Sequence, residues 1–323
     1  MFIKNFIKTS AVTLAASMFV TSASANITQL VSFGDSLSDS GNVHTATGLY
    51  GPPYAGVNSD GPVWTQQLAT ALGLPAHTGS LTGGTGYAWG GARIAVGTES
   101  GASVPSLRQQ VDTYLAATGG VADPDTLYTV WGGGNDALYA AATGDFSVVP
   151  AAAGALSGIV SDLTLAGATS VMVVNLPNIG LTPRQNGDPV AAAQGDFISV
   201  QFNNAVQQAV DGATAALTAA GVDSNIVVHD AYTWTGNLVN QAASLGLNAV
   251  DMCFNLAAGT ICSDPENHLW WDEIHPTTAG FTYLTADILN TVNGLDVAVP
   301  VPAAAWLFIS GVAGLAGLRR AKK

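Results

Sequence analysis

The sequence predicts an α/β fold: a mostly parallel β-sheet with helices on both faces, stacked in three α/β/α layers. Three observations predict it. Four short runs rich in Val, Ile, Leu and aromatic residues (29–33, 126–131, 170–176 and 225–229) are bounded by turn residues and read as buried strands. Helical patterns lie between them, over 63–72, 151–165 and 197–220. Gly73, Gly167 and Gly221 close these helices, and Pro276 is placed to open a last one. Strands alternating with helices build a parallel sheet covered on both sides.

Taken in order, the chain starts with Lys4 and Lys8, an apolar stretch over 11–20 and the small residues Ala23-Ser24-Ala25. This order is that of a secretory signal peptide, 1–25, cleaved after Ala25. The first strand stops at Gly34 and is followed by Gly-Asp-Ser-Leu-Ser-Asp-Ser-Gly-Asn, residues 34–42. In parallel sheets ligand sites lie beyond the C-terminal strand ends, so these serines are placed at the open rim. Two Gly-rich turns follow. One holds Gly90 and Gly91; the other places Asn135 after the strand 126–131. Cys253 and Cys262 are the only cysteines, and in an oxidising compartment a disulfide is expected between them. The segment 26–294 reads as one domain, with no internal repeat and no long linker.

The remaining segment, 295–323, is of another kind. Val299-Pro300-Val301-Pro302 precedes an uncharged apolar stretch over 303–318, and Arg319, Arg320, Lys322 and Lys323 follow. A basic end after an apolar stretch fits a membrane anchor with its charged end in the cytoplasm, at the short limit for spanning. The order also resembles the PEP-CTERM sorting tail, with Val-Pro-Val-Pro in place of Val-Pro-Glu-Pro. That resemblance implies an exosortase-type processing enzyme as partner. It also implies a cell-envelope, surface or extracellular location.

Charge narrows the function further. The chain has 9 Lys and Arg against 22 Asp and Glu, a formal net charge of −13. Six of the nine basic residues lie in the two terminal segments, which leaves Arg93, Arg108 and Arg184 and no lysine in the domain. Nucleic-acid binding is excluded on this ground, because phosphate neutralisation needs Lys and Arg.

A serine nucleophile requires a base. Of the five histidines, His275 has a carboxylate three residues before it, Asp272, in Trp-Trp-Asp-Glu-Ile-His-Pro. An Asp and a His on one turn can meet, so that the Asp fixes the imidazole tautomer. Alone, such a spacing is common. A metal site at His268, Asp272 and His275 is a further, minor reading that shares Asp272 and His275.

The motifs occur together and in order: Gly-Asp-Ser-Leu, the Gly90-Gly91-Ala92 turn, Gly-Gly-Asn-Asp, and Asp-Glu-Ile-His-Pro. In this the sequence resembles the GDSL, or SGNH, esterases and lipases over nearly the whole of 26–294. The resemblance implies the flavodoxin-like SGNH-hydrolase fold and an ester substrate (a lipid, a short-chain ester or an acetylated glycan), with no metal or organic cofactor. It implies Ser36 as nucleophile, His275 as base and Asp272 as its orienter. It implies an oxyanion hole of the Ser36 and Gly91 N–H groups and the Asn135 amide, with Gly90 open as the alternative glycine. Gly86-Tyr87 stands where many relatives have Asn followed by an aromatic residue, which is expected to loosen one turn. A deacetylase of acetylated polysaccharide is the alternative within the same chemistry. A surface protein that kept the fold without catalysis is the alternative outside it.

Overall fold

A computed structural model describes residues 25–95, 104–295 and 297–298. Of the expected signal peptide, 1–25, all but residue 25, and of the expected tail, 295–323, residue 296 and residues 299–323, lie outside the described residues. The elements run β1 (Ala25–Asn26), β2 (Gln29–Gly34), α1 (Asn42–Thr47), α2 (Trp64–Ala71), α3 (Leu107–Ala117), β3 (Thr126–Trp131), α4 (Gly134–Thr143), α5 (Val148–Leu165) and β4 (Ser170–Val174). They continue with α6 (Pro183–Asn186), α7 (Pro189–Ala219), β5 (Asn225–His229), α8 (Ala231–Gln241), β6 (Asn248–Met252), β7 (Phe254–Asn255), β8 (Thr260–Ile261), β9 (His268–Trp270), α9 (Thr278–Asn293) and β10 (Val297–Ala298).

The central sheet is parallel, in the order β2-β3-β4-β5. β3 and β4 are buried at every residue, as strands covered on both faces must be. Leu30, Leu127, Met172 and Val174 pack under α2 and α9. Val31, Phe33, Tyr128, Val130, Val171 and Val173 face the opposite way, under α3, α5 and α7. The alternation of side chains along each strand thus feeds two cores, and the sheet lies between two helical layers as a three-layer α/β/α sandwich.

An extended stretch, 85–89, runs parallel to the free edge of β2. Ser32 N–H donates to Thr85 O (3.2 Å), Tyr87 N–H to Ser32 O (2.7 Å) and Trp89 N–H to Gly34 O (3.1 Å). From β2 the chain therefore first adds this edge on one side and then β3 on the other. The direction of winding reverses at β2, and a crevice opens where it does so. Ser36 sits there, two residues beyond the strand.

Some boundaries differ from those the sequence suggests. Pro276 does not open the last helix: α9 begins at Thr278, with Thr277 as its cap accepting from Gly280 N–H (2.9 Å). α7 begins at Pro189 rather than 197, capped by Asp188. Its first turns carry no apolar stripe; Gly195 fits there because a Cβ would lie 2.8 Å from Gly180. The expected strand 170–176 ends at Val174, after which Leu176 N–H turns to the Asn203 side chain (2.8 Å).

Candidate active site

The turn after β2 is built from its own acids. Asp35 Oδ1 accepts Leu37 N–H (3.1 Å), and the Asp35 carbonyl accepts from Ser38 and Asp39 (both 3.0 Å). Gln110 on α3 clamps Gly34 from the side through two bonds of 2.9 Å, one to its N–H and one to its carbonyl. Ser36 is thereby held at the rim on a short, internally bonded loop.

The last described loop, after β9, brings His275 to it. Ser36 Oγ and His275 Nε2 are 2.8 Å apart. His275 Nδ1 lies 2.8 Å from Asp272 Oδ2 and 3.0 Å from Oδ1. Asp272 Oδ1 also accepts the N–H groups of Ile274 (3.0 Å) and His275 (2.8 Å), so the three-residue spacing closes an Asx turn that fixes carboxylate and ring together. All three side chains are buried or nearly so. Burial by itself would raise the Asp272 pKa, but His275 and the loop N–H groups outweigh it and hold the carboxyl well below its usual range. Burial likewise disfavours a charged His275, yet Asp272 more than compensates, and the imidazole is more basic than usual.

His268 does not join Asp272 and His275. Its ring contacts the Asp264 carbonyl (3.1 Å) and the Asn248 amide (3.4 Å) instead. It does approach Cys253 and Cys262, but these two sulfurs are joined in a disulfide across the β7–β8 hairpin.

The third component gathers opposite. Asn135 lies in the first turn of α4, and its Nδ2 donates to Ala92 O (2.9 Å), which ties it to the residue after Gly91. No other acceptor among the described residues takes Nδ2. Gly90 N–H is engaged by Asp39 Oδ2 (2.9 Å), whereas no partner among the described residues takes the N–H of Gly91 or of Ser36. Gly91 has φ +81, a conformation glycine adopts without strain. Asp39 and Asn42 fasten this loop to the first one, Asn42 Nδ2 donating to Gly86 O (2.8 Å) and Ala88 O (2.9 Å). Gly86 does not loosen the turn: a Cβ there would lie 2.1 Å from Ser40 Oγ, so glycine lets the two loops touch.

Sequence reasoning missed several supports. Asp136 accepts from Ile94 N–H (3.0 Å) and Arg93 Nε (3.3 Å), while the Arg93 guanidinium lies over the Tyr139 ring at 4.2 Å. This buried group pins the far end of the Gly91 loop to α4. Its only sequence signal is the Asp that follows Asn135. Tyr54 and Gln110 gave no signal, because their partners are far away in the chain. An apolar pocket opens beside Ser36, Asn135 and His275, walled by Trp131, Leu138, Leu176, Ile179, Trp234 and Leu284. Trp270 also lines it, whereas Trp271 stacks on Phe254 at 5.5 Å outside it.

A serine oxygen, a basic imidazole, an oriented carboxylate and N–H donors with no partner among the described residues meet at one strand-end crevice. The chain belongs to the GDSL-like lipase/acylhydrolase family, whose model matches residues 30–288. Among its relatives is the thermolabile hemolysin of Vibrio parahaemolyticus, 25% identical over 303 residues, covering 83% of this chain and 65% of that protein. Another is esterase EstA of Pseudomonas aeruginosa, 30% identical over 301 residues, covering 78% of this chain and 44% of EstA. This chain thus spans less than two thirds of either relative. A solved G-D-S-L family lipolytic protein from Veillonella parvula has 14% identity and a TM-score of 0.41, over 83% of this chain and 99% of that one.

Proposed function

We propose that this protein is a serine esterase or lipase that hydrolyses carboxylic esters through an acyl-enzyme on Ser36. The observation that carries this reading is the continuous relay from Ser36 Oγ to His275 Nε2 and from His275 Nδ1 to Asp272, each step at 2.8 Å. His275 takes the Ser36 proton as Oγ attacks the ester carbonyl, and Asp272 stabilises the imidazolium that forms. The N–H groups of Ser36 and Gly91 and the Asn135 amide receive the developing oxyanion. The imidazolium then protonates the leaving alcohol as the carbon–oxygen bond breaks. Water, deprotonated by the same imidazole, attacks the acyl-enzyme; the acyl–Oγ bond breaks, the imidazolium returns the proton to Ser36 Oγ, and the acid leaves. The apolar walls around Ser36 support an aliphatic acyl group as the part of the substrate that enters.

The test is hydrolysis of p-nitrophenyl esters from acetate to palmitate by the full chain and its Ser36→Ala variant. Activity lost with Ser36, with a chain-length optimum beyond acetate, supports the reading. Equal activity of the two proteins would refute it.

The terminal segments are part of the same proposal. The 1–25 leader exports the 26–294 domain, and 295–323 acts as a PEP-CTERM-like address read by an exosortase-type enzyme. Mass spectrometry of the exported protein tests this: an N-terminus other than Asn26, or an intact basic C-terminus on protein released from the membrane, would contradict it.

A further inference from the structure

We propose that Tyr54 is a positioning residue for the catalytic pair, holding the Asp272 carboxylate against His275 through its phenol. The inference rests on the serine-hydrolase reading and adds to it a residue outside the four sequence motifs. Asp272 is 8% exposed, and its two oxygens are unequally served. Oδ1 has three donors: the N–H groups of Ile274 and His275, and His275 Nδ1. Oδ2 has His275 Nδ1 and one further donor, the Tyr54 hydroxyl at 2.8 Å. That hydroxyl comes from a part of the chain 218 residues away. A buried carboxylate needs each oxygen supplied with donors, and a donor on Oδ2 opposes rotation of the group away from the ring.

Tyr54 is itself held for this task. Its ring meets Tyr50 at 5.4 Å, Phe254 at 5.5 Å and Trp271 at 6.0 Å, all edge-to-face. Phe254 lies in the hairpin closed by the Cys253–Cys262 disulfide, and Trp271 directly precedes Asp272. Tyr50 has φ +61 and is the only non-glycine residue with positive φ among those described. Such strain persists where its surroundings over-determine it, and it concentrates at functional sites. Removing the hydroxyl leaves Asp272 less neutralised, so the carboxylate holds a protonated His275 more strongly. The other ionisable groups facing this pair are Asp35 from the β2 turn and Arg184 on α6, around His275, and Tyr50 and Glu273, around Tyr54. None of them is altered by the substitution.

The test is Tyr54→Phe in the full chain, which keeps the ring and removes the hydroxyl. Tyr54→Leu, which removes both, is the packing control. The readouts are kcat/KM on the best p-nitrophenyl ester, the thermal midpoint, and the His275 imidazole titration by NMR, assigned with His275→Gln. Tyr54→Phe is expected to lower kcat/KM about tenfold and to move the His275 titration to higher pH, with the thermal midpoint lowered less than in Tyr54→Leu. An unmoved His275 titration would overturn the proposal, whatever happens to kcat/KM. If the parent hydrolyses no ester but the titration still moves, the positioning contact stands and the esterase reading fails.

Discussion

Replacing Asp35 by Asn should make the protein more stable at neutral pH and leave it nearly unchanged in acid. Asp35 is 2% exposed, and burial pushes its carboxyl up from 3.8 to about 7, with the neighbouring Asp136 charge adding to the shift. Leu37 N–H and His275 oppose the rise without cancelling it. The folded protein therefore binds a proton that the unfolded chain releases between about pH 4 and pH 7. For a raised acid the stabilising contribution is complete below the unfolded pKa and is lost as pH climbs through the folded one. A shift of about three units at ~1.36 kcal/mol each corresponds to roughly 4 kcal/mol. Asn does not titrate, and its side-chain carbonyl can still accept from Leu37, so the turn around Ser36 is retained. Urea unfolding of the full chain and of Asp35→Asn, at intervals from about pH 4 to pH 8, reads the difference directly. The variant's advantage should grow across that window to about 4 kcal/mol and then level off. Groups that titrate alike in both proteins cancel in the comparison. Parallel stability curves, with a gap independent of pH, would refute the idea that burial keeps Asp35 neutral.

Three further outcomes are expected. Asn135→Ala removes one oxyanion donor and should lower kcat by about 10²–10³ with a much smaller change in KM; steady-state kinetics check it. Gly133→Ala forces a side chain onto a residue at φ +112 and within 2.2 Å of the Phe202 ring. It should destabilise by roughly 2–4 kcal/mol, combining the left-handed backbone and the overpacking, as read from the denaturation midpoint. Ester hydrolysis should fall away on the acid side with a midpoint above the ordinary histidine value, because Asp272 raises the basicity of His275 and only the neutral imidazole accepts the Ser36 proton. A limb at or below the ordinary value would contradict this.

Much of this molecule is local and so is written in the sequence. The four strands of the sheet are short runs dominated by Val, Ile, Leu and aromatic residues, and β3 and β4, buried at every residue, need no polar alternation. Ser36, Asn135 and the Asp272–His275 turn each lie just beyond a strand, and short-range bonds such as those from Ile274 and His275 N–H to Asp272 shape them. Helices α3, α4 and α8 were not legible. α4 starts in a Gly run that imitates a loop, and its cap Gly133 is a glycine at φ +112 rather than a residue with a side-chain acceptor.

What only the tertiary structure decided is long-range. The edge stretch 85–89 has only the short apolar run Tyr87-Ala88-Trp89 and becomes part of the sheet through three backbone bonds to β2, which sets the winding reversal and hence the crevice. The family resemblance points to Gly91 but leaves Gly90 open as the alternative. The two differ because Asp39, 51 residues away, engages the N–H of Gly90 and leaves that of Gly91 without a partner among the described residues. Tyr54 meets Asp272, and Arg93 meets Asp136, only after the loops fold over the strand ends. Residue types and short spacings determine which chemical groups are available. Chain segments that are distant in sequence must pack before it is settled which of those groups remain free to act.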